Sequence, residues 1–393
     1  MTTCIHSDTK DPVSISSRRF EQSPYHGLYA NDQTVLGVYA GRFYPVDNGE
    51  DLSSTYWKLR REAVLYDVPE KPWQIEGPDV LPFLERVFSR RISDLKVGRG
   101  RYAIACTESG GTFMDGVLFR LGDNRYWYVQ PEGELQSWLT AHSAGFDVKV
   151  SDPQSRVLQI QGPRSMEIMS DATDGAIDPS MKYFHAGHFD VGGQTVYVSR
   201  TGWTGEVGYE IYSNPDTDHP RLWRDVVSAG EGHGMVFGST KSMSVRRIEA
   251  GILDNLTDFD TSMTPYEAGL GGFVDLDKEG FIGREALLTA DRRSTLLGVK
   301  CATAVPQYRG DVLNEGAAIG SITASAWSPT LECGIGYIRL RHANDWVGRR
   351  VTVATEEGST APGEVVPLPF FDQEKRIPRG ASSPADDMAS RVT

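Results

Sequence analysis

Twice along the chain the same short phrase recurs: Gln74-Ile75-Glu76-Gly77-Pro78-Asp79, and Val157-Leu158-Gln159-Ile160-Gln161-Gly162-Pro163-Arg164-Ser165. Each reads as a strand, a Gly-Pro turn and a helix start. Glycine permits the sharp backbone reversal, while proline cannot extend a strand ladder but suits the first turn of a helix. A strand handed to a helix twice points to two related α+β units; a chance recurrence of a short pattern is the alternative. The architecture this allows is mixed, neither an all-helical bundle nor an all-β sandwich.

The chain has 393 residues, enough for two or three domains with substantial cores. A formal net charge of −13 argues against a nucleic-acid surface, which would cluster basic residues. The four cysteines (Cys4, Cys106, Cys301, Cys333) form no C-x-x-C pair and no disulfide rhythm, which fits a reducing, cytoplasmic setting. Met1 to Lys10 is polar without an apolar core, so no secretory signal is expected. No apolar run is long enough to span a membrane.

Residues up to about 50 read as an arm with short strands such as Val35-Leu36-Gly37-Val38-Tyr39. Apolar spacing predicts helices over 52–66, about 79–89, 219–232 and 239–253. Arg101 to Cys106 and Gly116 to Leu121 alternate around Glu108-Ser109-Gly110-Gly111, a hairpin signal. From about 295 onward short strands and turn residues predict a small all-β domain, and 376–393 read as a loose tail.

The most informative segment for chemistry is Ser199-Arg200-Thr201-Gly202-Trp203-Thr204-Gly205-Glu206-Val207-Gly208-Tyr209-Glu210-Ile211-Tyr212. Three glycines at spacing three bring two carboxylates and three aromatics into one small region, a place suited to a flat heterocycle with N–H donors. A glycine-rich hairpin with packed rings is the plainer alternative. Three further segments carry candidate chemistry: Gly110-Gly111-Thr112-Phe113-Met114-Asp115, the helical Arg246-Arg247-Ile248-Glu249-Ala250-Gly251, and Gly280-Phe281-Ile282-Gly283-Arg284-Glu285-Ala286-Leu287. His185 and His188 lack a third ligand nearby, so no metal site is expected. Nucleotide-binding glycine motifs and a G-x-S-x-G elbow are missing from the sequence.

In order and spacing, these segments resemble the T-protein (aminomethyltransferase) family of folate-dependent one-carbon enzymes, from about residue 60 to about 370. Within it, Leu158 to Pro163, the Trp203 form of the glycine loop and Arg246 to Ile252 are most similar to dimethylsulfoniopropionate demethylases. The resemblance implies an α+β, three-domain fold around a central folate channel, closed by a small C-terminal β-barrel. Its expected divisions are 1–150 (folate-binding, discontinuous), 151–290, 291–375 and the tail 376–393. It also implies tetrahydrofolate as cofactor and a small methylated donor as substrate, in a monomer or homodimer. Glu210 would hold the pterin N–H groups, and Trp203 and Tyr212 would line the pocket. Asp115 would act at the reactive folate nitrogen as the catalytic carboxylate, with Tyr102, Arg247 and Glu206 also at the cofactor. Each has a structural alternative: a strand glutamate, core aromatics, a hairpin-capping aspartate, a helix arginine paired to an acid.

The chain departs from the family at two places. Aminomethyltransferases carry an acid, and the demethylases an asparagine, where Met114 stands. Tyr39-Ala40-Gly41-Arg42-Phe43-Tyr44-Pro45 replaces the Tyr-Asn-His-Met-Leu-Leu-Pro run of the demethylases, so Tyr39, Arg42 and Tyr44 are the candidate donor contacts. An onium donor loses a neutral group and needs positioning among aromatics. An aryl methyl ether loses a phenoxide and wants an arginine or proton donor. The expected reaction is methyl transfer to tetrahydrofolate N5, giving 5-methyltetrahydrofolate, with no lipoyl carrier. Alternatives are the aminomethyltransferase of glycine cleavage, with such a carrier, and a non-enzymatic folate-binding assembly factor. The last is disfavoured because Lys278 to Glu285 lacks that class's cysteine.

Overall fold

The computed structural model describes residues 16–130 and 132–381. The polar start Met1–Lys10, Cys4 and the stretch beyond 381 lie outside the described residues.

The helix expected over 52–66 ends early. Asp51 caps it by accepting from the Ser54 amide at 2.7 Å, and it runs Leu52–Arg61. The following Val64–Val68 is a strand, buried at every position. Five consecutive buried residues, two valines, a leucine and a tyrosine around Asp67, suit a central strand covered on both faces, and that burial overrides the helical spacing. It joins a six-stranded sheet in the order Ala186–Val191, Gln194–Ser199, Gly208–Tyr212, Val157–Gln161, Val64–Val68, Val236–Phe237, with only the last pair parallel.

A five-stranded antiparallel sheet is nested between Val64–Val68 and Val157–Gln161. Its order is Arg99–Cys106, Thr112–Gly122, Arg125–Gln130, Lys71–Glu76, Lys149–Ser151, and it contains the expected hairpin around Gly110. The boundary expected at 150 therefore does not divide the sheets: residues 64–68 belong to the second one, and the first is an insertion into it. The two sheets meet face to face in a shared core, where Phe119 and Trp127 of one lie against Tyr197 and Tyr212 of the other.

The repeated phrase has the same backbone both times. Gly77 and Gly162 take φ of 142° and 127°, and a Cβ there would come within 2.3 Å and 2.4 Å of the carbonyls of Asp147 and Glu62. Helices Val80–Val87 and Ser165–Ala172 follow.

Helix His219–Glu231 matches its expected span. Thr240–Glu249 stops short of 253, because Gly251 takes φ of 65° and ends it in a left-handed turn. The strands from Leu296 to Val366 close into a six-stranded barrel, packed on that helix through Tyr337, whose hydroxyl lies 3.0–3.1 Å from the carbonyls of Arg247, Ile248 and Ile252. The first part of the expected tail is packed as well: Ile377 is fully buried with Ile248 and Phe370. Among the described residues no helix is long and apolar enough to cross a membrane.

Candidate functional site

A cavity of about 390 Å³ lies between the two sheets. Both sheets contribute to its wall, with the N-terminal hairpin, the Gly251–Leu253 turn, Leu270 and Phe273, and the segment carrying Lys375 and Arg379.

Strand register delivers the carboxylate on one wall. Glu210 stands opposite Ser199 on one neighbouring strand and Gln159 on the other, so the three side chains share a face. Its oxygens accept from Gln159 Nε2 at 2.8 Å, Tyr212 Oη at 2.7 Å and Thr201 Oγ1 at 2.5 Å. Burial raises its pKa, against the lowering effect of the hydroxyl donors. Tyr212 therefore buttresses Glu210 from the core and does not line the cavity.

The opposite wall carries Asp115, whose Oδ2 accepts from Tyr102 Oη at 2.7 Å while its buried Oδ1 has no partner. Burial, reinforced by Asp254, lifts its pKa to about 7. Tyr102 packs its ring on Phe273 at 4.6 Å between centroids. Trp203 faces the cavity with the Arg247 guanidinium 5.1 Å behind its ring. Arg247 itself is held by Asp258 at 2.7 Å, so it supports Trp203.

Two expected ligand contacts point elsewhere. Glu206 is buried between Arg60 and, at 2.6 Å, Arg246, which also meets Glu249 at 3.4 Å; the two acids balance the two core arginines. Arg42 is 2% exposed, donating to Glu21 at 3.1 Å and to the Glu70 carbonyl at 2.8 Å, and is not in the wall. Tyr39 and Tyr44 do line the cavity, edge to face at 6.3 Å, and the Tyr39 hydroxyl donates to Asp254 at 3.3 Å.

Sequence reasoning missed Glu70, Lys375 and Arg379. Glu70 shares Gln159 Nε2 with Glu210, at 3.4 Å, and its buried Oε2 has no partner. Burial and the neighbouring Glu210 raise its pKa to about 8. The available signal was a carboxylate one residue after Pro69, at the end of a strand apolar but for Asp67. Lys375 and Arg379 fell in or beside the segment read as tail.

The cavity is thus rich in acceptors: Asp115 Oδ1, Glu70 Oε2 and the nearby Gln159 Oε1 are all buried without a partner among the described residues. An occupant bearing N–H donors or positive charge would satisfy them.

Known proteins share this architecture. Residues 28–278 match the GCVT N-terminal domain and residues 292–372 the glycine cleavage T-protein C-terminal barrel domain. The chain therefore belongs to the glycine cleavage T-protein family. It is 32% identical to an aminomethyltransferase of Streptomyces coelicolor, over 86% of this chain and 94% of that one. It is also 32% identical to a trimethylamine-oxide aldolase of Ruegeria pomeroyi, over 82% of this chain but 43% of that longer protein. The crystal structure of the glycine cleavage system aminomethyltransferase T from Bartonella henselae superposes with a TM-score of 0.80 at 25% identity, over 90% of this chain and 99% of that one.

Proposed function

We propose that the protein is a tetrahydrofolate-dependent one-carbon transferase, with Glu210 holding the pterin and Asp115 acting at the reacting nitrogen. The observation that carries this reading is the pair of buried carboxylates on opposite walls of one cavity, one prealigned by protein donors and one with an oxygen unpaired. A reduced folate, when bound, supplies a nucleophilic ring nitrogen that takes up the one-carbon unit.

The remaining work belongs to the chain. Glu210, prealigned by Gln159, Thr201 and Tyr212, accepts ring N–H groups without reorganising. Asp115, oriented by Tyr102, places negative charge where positive charge develops, inside a water-poor cavity where that charge acts strongly. Trp203 supplies an apolar face, stiffened by Arg247.

Aminomethyl transfer is the reading that the names of most relatives favour, and it brings a lipoyl carrier protein as partner. Methyl transfer from a small methylated donor, such as dimethylsulfoniopropionate, is the second reading. It rests on Met114, fully buried where the family's aminomethyltransferases carry an acid. The aryl-ether donor loses support, because Arg42 is committed to Glu21 and the Glu70 carbonyl.

Mass spectrometry of the folate product separates the readings. An aminomethyl-lipoyl carrier should yield 5,10-methylenetetrahydrofolate with ammonia, and a sulfonium or ammonium panel should yield 5-methyltetrahydrofolate. Neither product from either set would end the proposal. As a site test, Asp115→Asn should cut kcat by about 100- to 1,000-fold with folate affinity nearly kept. Glu210→Ala should instead weaken folate binding, and the reverse pattern would exchange their roles.

A further inference from the structure

We propose that Glu70, flanked by Tyr39 and Tyr44, is the binding site for a positively charged head of the one-carbon donor, an ammonium or sulfonium group. The inference deepens the one-carbon transferase reading and rests on it in taking this corner as the donor's place.

The geometry supplies three independent reasons. First, Glu70 lines the cavity with one carboxyl oxygen buried and unpartnered, while the carboxyl's other contacts are a long one from Gln159 and its own backbone amide. Second, the corner is acidic: Asp254, Glu70 and Glu132 all bear on the hydroxyls of Tyr39 and Tyr44, and Asp115 also bears on Tyr39. Third, the two tyrosine rings stand edge to face beside it, offering the π faces that a desolvated cation prefers.

The charges facing Glu70 do not already satisfy it. Glu210 and Asp67 are like charges, and Arg42 bonds the Glu70 backbone carbonyl, its Nε being turned to Glu21. The cavity's other cations stand apart, Lys375 donating to the Ala250 carbonyl and Arg379 facing Tyr183. Asp254 accepts from Tyr39, and Glu132 accepts from the Ala40 amide at 2.7 Å.

With its pKa near 8, Glu70 is largely protonated at neutral pH in the ligand-free protein. Binding a cation then balances as carboxylic acid plus cation giving carboxylate–cation pair plus one released proton. A proton released on binding is a signature that a purely apolar pocket would not show.

The test is isothermal titration of the folate-free full chain with tetramethylammonium, and with neutral tert-butanol as its isostere, in two buffers of different ionisation heat. The wild type should bind the cation at least about tenfold tighter than the isostere. It should release close to one proton at about pH 6.5 and fewer as pH rises through about 8. Glu70→Gln should lose about tenfold or more in cation affinity and release no proton, with Glu70→Asp in between. Folate binding, followed by tryptophan fluorescence with 5-formyltetrahydrofolate, should survive in Glu70→Gln and shows that the variant is folded. Equal binding of cation and isostere, or cation binding unchanged in Glu70→Gln, overturns the proposal. So does loss of folate binding alone in that variant. A wild type that binds the cation through Glu70 but takes no folate would uphold the site and sink the folate reading.

Discussion

Asp115 and Glu70 are both buried acids lifted toward neutrality, yet their surroundings give them different work. Asp115 keeps one donor, Tyr102, and one open oxygen, which suits a group that must be charged when positive charge appears beside it. Its pKa near 7 sets the sign of the pH dependence: protonated below that value, it cannot stabilise the charge, so turnover should rise as pH passes from about 6 to about 8 and then level. The measurement is the pH profile of kcat, and Asp115→Asn should flatten it. A wild-type profile without an inflection in that range would remove Asp115 from the role. Asp115 and Glu210 were legible as candidates because each sits on a strand beside a glycine motif. Glu70 was not, because its importance comes from burial beside Glu210, a residue 140 positions away that only the sheet register brings near.

At the scale of elements, the glycine loop shows how much spacing alone conveys. Its three glycines are required for two different reasons. Gly205 takes φ of 68°, and a Cβ there would stand 2.5 Å from that of Ala250 on the Arg246 helix. Gly202 and Gly208 have ordinary backbones, but side chains on them would collide with the Gln161 carboxamide, at 2.1 Å and 2.3 Å. The loop's acids also divide, Glu210 toward the cavity and Glu206 into the core between Arg60 and Arg246. Sequence could not separate them, since both follow a glycine by one or two residues and the difference lies in which arginines arrive from two distant helices. Glu206→Gln should leave two buried guanidiniums undercompensated and cost about 3–5 kcal/mol by urea unfolding. In the fraction that folds, folate affinity should stay near wild type. A Glu206→Gln variant of normal stability but weak folate binding would return Glu206 to the cofactor site.

For the whole molecule, the decisive fact is that one sheet is inserted into the other, so the cavity between them exists only while the two crossings hold their positions. The repeated strand–turn–helix phrase showed that there are two such units, and the barrel was legible from its dense turns. The insertion was not, because the first three residues of Val64–Val68 read as the end of the helix expected over 52–66 until their burial in the other sheet is known. Both crossings are pinned by one acid. Glu21 pairs with Arg156 at 2.7 Å, Arg42 at 3.1 Å and Lys71 at 3.4 Å, and Lys71 and Arg156 stand where the chain enters and leaves the inserted sheet. Those cations pull its pKa down to about 2 despite partial burial. A depressed acid contributes stability that is fully present above its unfolded pKa, about 4.5, and is lost as pH falls toward 2. Glu21 is 42% exposed, so salt screens part of the effect. Glu21→Gln should therefore lower the urea midpoint at about pH 6, with the gap to wild type shrinking in high salt and closing only as pH falls through about 2. Because Arg42 also holds the Glu70 backbone, the same variant should raise KM for the one-carbon donor more than it lowers kcat. A stability gap that ignores pH and salt would mean that the crossings are fixed by apolar packing alone.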